Sequence, residues 1–173
     1  MENMKKYMKY VCYLSIGLLL LLKFIVKIDD WMDAISYSIS ITIAISIGYV
    51  TILWKYNPLE KYPRLNKKYS GKMITENYGE RDVCVEIKHN LIYTYIKLTT
   101  NESKSRSKSF NIYKEGEDWM LMYTYINEPN MLEREHSDIH YGTCVLEIKD
   151  KDKLEGMYYT DRKTIGEIKL EKM

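Results

Sequence analysis

A basic residue stands between two threonines near the end of the chain, where a buried position is expected. Every second residue from Leu154 belongs to one face of a strand pair, and Arg162 lies on that face between Thr160 and Thr164. A buried cation is costly unless an anion or water reaches it. Arginine binds phosphate through two parallel hydrogen bonds, and hydroxyl groups supply further donors. These residues therefore predict a binding site for an anion.

Aromatic side chains extend this predicted site. Tyr123 and Tyr125 end one apolar segment, and His140 begins the next. Tyrosine rings stack on bases, so together with Arg162 they suit an anionic ligand with flat faces. Residue types alone do not separate a nucleotide from a flavin, a lipid phosphate or a polyanionic metabolite.

The segment 103–110, SKSRSKSF, has serines at one set of alternate positions and mainly basic residues at the other. Phe110 and Ile112 favour an inward basic face. Inward serines would instead keep the cations in solvent, and a β-bulge could exchange the two faces. Either face offers donors to an anion, and a solvated basic strand is the alternative. The candidate binding residues in this segment are Ser105, Arg106 and Ser107.

The residues that often perform catalysis or bind metals form no familiar pattern. His89, His136 and His140 lack an HExxH or CxxC arrangement, and there is no G-x-S-x-G segment. The inward positions of the last four predicted strands contain no Asp or Glu, so acid–base chemistry would depend on His140 or a tyrosine. We therefore predict a binding protein with no catalytic residue, no metal and no cofactor besides its ligand.

Eight short segments rich in Tyr, Ile, Val and Thr would have to position these residues. They predict strands at 69–75, 81–88, 91–100, 104–113, 119–126, 140–149, 154–160 and 164–171. With no helix between them, we expect an eight-stranded, up-and-down β-barrel of the lipocalin-like kind. The connections after odd-numbered strands then meet at one mouth, which also includes Thr75 and Arg81. Gly142, Gly156 and Gly166 are expected to leave room for a small ligand.

Two apolar segments, 10–26 and 34–54, precede the barrel. The second is long enough for a membrane helix, and the first is short but can span if Lys23 extends its charge toward the membrane surface. The basic residues that flank the pair are Lys5, Lys6 and Lys9 before it, and Lys55, Lys61, Arg64, Lys67 and Lys68 after it. The loop between the segments is acidic, so the positive-inside rule predicts a multi-pass protein of the inner (cell) membrane with both termini cytoplasmic. A cleaved signal peptide is the alternative, but no convincing cleavage site follows the first segment.

These assignments divide the chain into two membrane helices at 1–54, a linker at 55–65 and a cytoplasmic barrel domain at 66–173. The second helix has a small residue at every fourth position, at Ser36, Ser40, Ala44 and Gly48. Such a stripe lets helix backbones approach closely within lipid. Packing against the first helix and self-association between chains both explain this small-residue stripe.

The order of these features resembles the membrane-disrupting effectors of bacterial CBASS anti-phage defence. Those proteins have two N-terminal membrane helices followed by a strand-rich cytoplasmic domain. The matching motifs are the serine-alternating strand, a Leu-x-Tyr-x-Tyr strand with a following Asn and Pro at 121–129, and a His-x-Gly start at 140–142. The closing hairpin matches at Gly156, Tyr158, Thr160, Arg162 and Gly166.

The resemblance implies that the barrel binds a cyclic dinucleotide second messenger made by a partner nucleotidyltransferase, without any need for direct contact between the two proteins. Tyr158 then joins the ligand-binding residues. Binding would drive homo-oligomerisation, and the helices would disrupt the membrane lipid and kill the infected cell, with no role for DNA or RNA. A membrane-tethered, lipocalin-like carrier of a lipid or small metabolite is the alternative, and it predicts an apolar mouth. A structural membrane adaptor predicts no ligand.

Overall fold

The chain forms two compact units, Met1–Glu60 and Lys61–Met173. The computed structural model describes residues 2–75, 79–135 and 137–173, with side chains described from Tyr7 onward. The side chains of Lys5 and Lys6, which contribute to the topology prediction, and the whole of His136 lie outside this description. The second unit includes residues 61–65, which the sequence suggested as part of a linker.

Two helices form the first unit. α1 (Glu2–Leu20) continues into a π-helical turn, and α2 (Trp31–Thr51) is followed by a short 3-10 turn. The segments Tyr7–Ile25 and Trp31–Thr51 are long and apolar enough to cross a membrane, by length and composition. The Asp30 side chain begins α2 by accepting a hydrogen bond from the Met32 N–H at 2.6 Å.

One face of α2 packs against α1, and this face consists of Ala34, Ser38 and Thr42. The Ser38 hydroxyl donates to the Ser15 carbonyl at 2.6 Å. At 3.6 residues per turn, this face lies about 160° around the helix axis from the small-residue stripe. The contact between the two helices of one chain therefore does not use the stripe.

The second unit is a closed barrel of eight antiparallel strands, in which each strand pairs with the next and the last pairs with the first. The strands are β1 (Lys68–Thr75), β2 (Gly79–His89), β3 (Thr94–Thr99), β4 (Ser103–Glu115), β5 (Asp118–Pro129), β6 (His140–Ile148), β7 (Lys153–Thr160) and β8 (Ile165–Lys172). Apolar residues at alternate positions, such as Val85, Leu121 and Leu154, form one core inside the barrel. The predicted fold class and strand order are confirmed.

A β-bulge decides which face of β4 points inward. The pairing with β5 shifts between Ser107 and Ser109, which leaves Lys108 as the extra residue. Ser105 is buried before the bulge, and Ile112 is buried after it. The serine face therefore points inward before the bulge, and the face that carries Ile112 points inward after it.

The residues that precede β1 fill the end of the barrel where β1 begins. The Tyr62 ring stacks on His89 with 5.7 Å between centroids, and its edge contacts Trp119 at 5.8 Å. The Asn66 backbone N–H donates to the Tyr69 hydroxyl at 2.8 Å. The opposite end of the barrel is therefore the one to consider for ligand entry.

Candidate ligand-binding cavity

The barrel contains a cavity of about 270 Å³ at the end opposite to the filled one. Its lining comes from the connections after β3, β5 and β7 and from residues of the strands, including the end of β1 at Thr75. Met73, Leu98 and Ile168 supply apolar surface, while hydroxyl, amide and charged groups supply the rest. The predicted mouth residues Thr75, Arg81, Tyr123, Tyr125, His140, Thr160, Arg162 and Thr164 all line this cavity, as do Ser105 and Tyr158.

Tyrosine rings fill the space beside two glycines of the barrel. A Cβ atom on Gly142 would overlap the Tyr125 ring, and one on Gly166 would overlap the Tyr158 ring. A Cβ on Gly156 would overlap the backbone of β6. The expectation that these glycines leave open space was wrong, because the rings of neighbouring strands and the backbone already occupy it.

The tyrosine hydroxyls are neutral donors within the cavity. Burial raises the pKa of Tyr123 and Tyr125 well above the usual value, and it also raises the pKa of Tyr158. The Tyr158 hydroxyl is hydrogen-bonded to the Thr75 hydroxyl. Within the described part of the chain the Tyr125 hydroxyl has no such partner, so it is available to a ligand.

Nucleophilic chemistry has little support in this cavity. Burial raises the pKa of the neighbouring Cys144 thiol to about 12, so the reactive thiolate is scarce at neutral pH. Among the residues that the structure describes, no group of three His, Cys, Asp or Glu side chains could hold a metal ion. The groups that line the cavity include many hydrogen-bond donors and acceptors as well as ring faces, which suit binding.

A buried polar pair connects β4 and β5 inside the cavity. The Ser105 hydroxyl donates to Asn127 Oδ1 at 2.7 Å, and the two residues are 6% and 8% exposed. The amide N–H groups of Asn127 have no partner among the described residues, so they can donate to a ligand. Asn127 was not among the predicted ligand residues, although it follows Tyr125 by two positions and therefore shares its inward face.

Arg162 lies at the mouth but not on an inward strand position. It is exposed and stands in the turn between β7 and β8, where the sequence also predicted a turn between the strands 154–160 and 164–171. Its Nη1 donates to Ser137 Oγ at 2.9 Å and to the Asp138 carbonyl at 3.3 Å, and it lies 3.3 Å from His140 Nδ1. Neither the Ser137 hydroxyl nor the Asp138 carbonyl is a carboxylate, so an anion can replace them as acceptors.

Two predicted residues of β4 do not line the cavity. Arg106 is exposed on the outer face and forms an ion pair with Glu128 at 3.3 Å. The Ser107 hydroxyl accepts a hydrogen bond from the Ile96 N–H at 2.9 Å, which links β4 to β3 beside the bulge. The expected positions of both residues at the mouth are therefore corrected: Arg106 points outward because it alternates with the inward Ser105, and Ser107 lies next to the bulge.

A second guanidinium, which was not among the predicted ligand groups, lies at the mouth. Arg81 Nη1 and Glu102 Oε2 form an ion pair at 2.7 Å, and both residues line the cavity. Strand order alone placed Arg81 near the mouth. It gave no indication of Glu102, because this residue belongs to the connection between β3 and β4.

The two glycines that adjoin tyrosine rings should differ in their tolerance of alanine. We expect Gly142→Ala to move the Tyr125 ring into the cavity and to lower the free energy of unfolding by about 1–3 kcal/mol. Gly166→Ala should cost more, because its Cβ would also overlap the backbone carbonyl of Ile74. Thermal unfolding of the full chain in detergent measures both, and equal losses would contradict this ranking.

The closed barrel, the tyrosine-lined cavity and the two arginines at its mouth define a ligand-binding β-barrel protein. Residues 60–172 match the family model described as Cap15, cyclic dinucleotide receptor domain. The chain is also 32% identical over 149 residues to CD-NTase-associated protein 15 of Staphylococcus schleiferi, across 83% of this chain and 81% of that relative. The chain therefore belongs to the Cap15 family, which confirms the resemblance found from the sequence.

Proposed function

We propose that this protein is a membrane-anchored effector of CBASS anti-phage defence whose barrel binds a cyclic dinucleotide. The main support is the tyrosine-lined cavity with cations at its mouth, in a barrel that matches a cyclic dinucleotide receptor domain. Guanidinium groups suit phosphodiesters, tyrosine rings suit base faces, and the Asn127 amide suits a base edge. An apolar mouth, which the lipid-carrier alternative predicts, is not what the described residues form.

The size of the cavity indicates how such a ligand would lie. Pockets that enclose most of a drug-sized ligand measure about 300–1,000 Å³. A cyclic dinucleotide is a large ligand on this scale, so a cavity of about 270 Å³ encloses only part of it. In the proposed complex one base enters beside Tyr123 and Tyr125, and the phosphates remain at the mouth with Arg162.

The consequences of binding belong to the same proposal. A partner nucleotidyltransferase makes the ligand, in keeping with the name of the Staphylococcus schleiferi relative. Ligand-bound chains assemble as homo-oligomers, and their apolar helices disrupt the lipid of the inner membrane. With both termini cytoplasmic, the barrel shares the compartment in which the cyclic dinucleotide is made.

Calorimetry on the full chain in detergent tests the proposed ligand class. The probes are cyclic di-AMP, cyclic di-GMP and cyclic di-UMP, with oleate and phosphatidylglycerol in mixed micelles as lipid probes. We expect saturable binding of at least one cyclic dinucleotide and about 2.7 kcal/mol of stabilisation at a hundred times its Kd. Binding of a lipid probe with none of the cyclic dinucleotides would instead support the carrier function.

A further inference from the structure

The two arginines of the cavity mouth approach it from different sides. Arg162 lies in the turn between β7 and β8, whereas the Arg81 guanidinium reaches Glu102 in the connection between β3 and β4. In a closed barrel of eight strands these two connections are four strands apart, which is half of the circumference. Arg81 itself belongs to β2, so its guanidinium approaches the cavity from the side of β2 to β4, and Arg162 approaches it from the side of β7 and β8.

The Glu102 carboxylate, which forms an ion pair with Arg81, has the chemistry of a ligand phosphate. A carboxylate and a phosphodiester each present two oxygens and one negative charge to a guanidinium. The side chains of Arg81 and Glu102 are 32% and 43% exposed, so the pair lies at the boundary between cavity and solvent. We infer that Arg81 is a second phosphate-binding residue, and that the Glu102 carboxylate occupies the place of a ligand phosphate until the ligand displaces it.

Displacement of Glu102 requires only a side-chain rotation. Its backbone N–H donates to Thr100 Oγ1 at 3.2 Å, and its carbonyl accepts from the Asn130 N–H at 2.8 Å. The connection is thus fixed on both sides, while the carboxylate can turn into the adjoining water. Partly exposed ion pairs contribute little net stability, so a phosphate held within the cavity can compete with this one.

This inference rests on the proposed function and makes it more specific. A cyclic dinucleotide has two phosphodiesters on opposite sides of its ring, and each would meet one of the two arginines. A mononucleotide has a single phosphate and can satisfy only one of them. The pairing of Arg81 with Glu102 thereby favours a ligand with two phosphates.

Single substitutions in the two partners should change affinity in opposite directions. In the full chain in detergent, calorimetry uses whichever of cyclic di-AMP, cyclic di-GMP or cyclic di-UMP binds the parent most tightly. Arg81→Ala should weaken its binding by about ten- to a hundredfold, and Arg81→Lys should recover part of the loss. Glu102→Gln should strengthen binding about two- to fivefold, because the competing charge is gone.

The ion pair between Lys72 and Glu80 supplies a matched control, since its 2.8 Å separation is similar but both side chains are more than half exposed outside the cavity. Lys72→Ala and Glu80→Gln should leave affinity unchanged. If the Arg81 pair only supports the barrel, Glu102→Gln will weaken binding as Arg81→Ala does, and the inference is overturned. It is also overturned if Arg81→Ala binds as tightly as the parent. A parent that binds none of the three probes overturns the proposed function itself.

Discussion

Arg162→Ala is expected to weaken binding of a cyclic dinucleotide by about ten- to a hundredfold while the barrel stays folded. Arg162 is exposed, and its Nη1 bonds are to the Ser137 hydroxyl and the Asp138 carbonyl, so its loss leaves no buried charge. A hydrogen bond to a charged group contributes about 1.5–3 kcal/mol, which sets the expected range. Arg162→Lys should restore only part of the affinity, because an ammonium cannot form two parallel bonds to phosphate.

Lys163 provides the control for the charge of this turn. It is the next residue, it is exposed, and it does not line the cavity. Its φ of 61° lies in the left-handed region, so asparagine is the substitution that removes the charge with little strain. We expect Lys163→Asn to bind like the parent in calorimetry. If Arg162→Ala binds as tightly as the parent, or if both variants lose affinity equally, then Arg162 makes no specific contact with phosphate.

Strand periodicity predicted much of the fold and part of the site. Alternating apolar residues determine which side of each strand faces the core, and a meander brings the connections after odd-numbered strands together. His140, Tyr125 and Thr160 therefore lie at one mouth, as expected. The third strand begins later than predicted, at Thr94, because the Asn90 side chain accepts from the Ile92 and Tyr93 N–H groups and forms a turn.

Periodicity could not predict contacts that depend on irregular backbone. The extra residue Lys108 reverses the inward face of β4, and nothing in the local pattern fixes its position. The partners of Arg81 and Arg162 belong to connections, where side-chain direction follows from turn geometry rather than from alternation. Asn127 differs, because the alternation of β5 already placed it inward and a buried amide needs a partner.

Replacing Ala44 and Gly48 together with leucine is expected to abolish cell killing while ligand affinity is unchanged. Within one chain α1 contacts the Ala34, Ser38 and Thr42 face of α2, and a Cβ on Gly48 meets nothing within 4 Å. The two leucines should therefore leave the helical hairpin intact. They would instead keep the helices of neighbouring chains apart, and the loss of a single interhelical contact of about 1–2 kcal/mol already lowers association by about tenfold.

Crosslinking in membranes measures the association of neighbouring chains, and viability counts during ligand production measure cell killing. The matched control is Ile39→Leu with Ile43→Leu, which also introduces two leucines at exposed positions of α2 but removes no small residue. The control should crosslink and kill like the parent, whereas the Ala44 and Gly48 variant should remain monomeric at the same ligand occupancy. Oligomers without killing would separate assembly from membrane disruption. Unchanged oligomers and unchanged killing would show that neighbouring chains do not meet at the small-residue stripe.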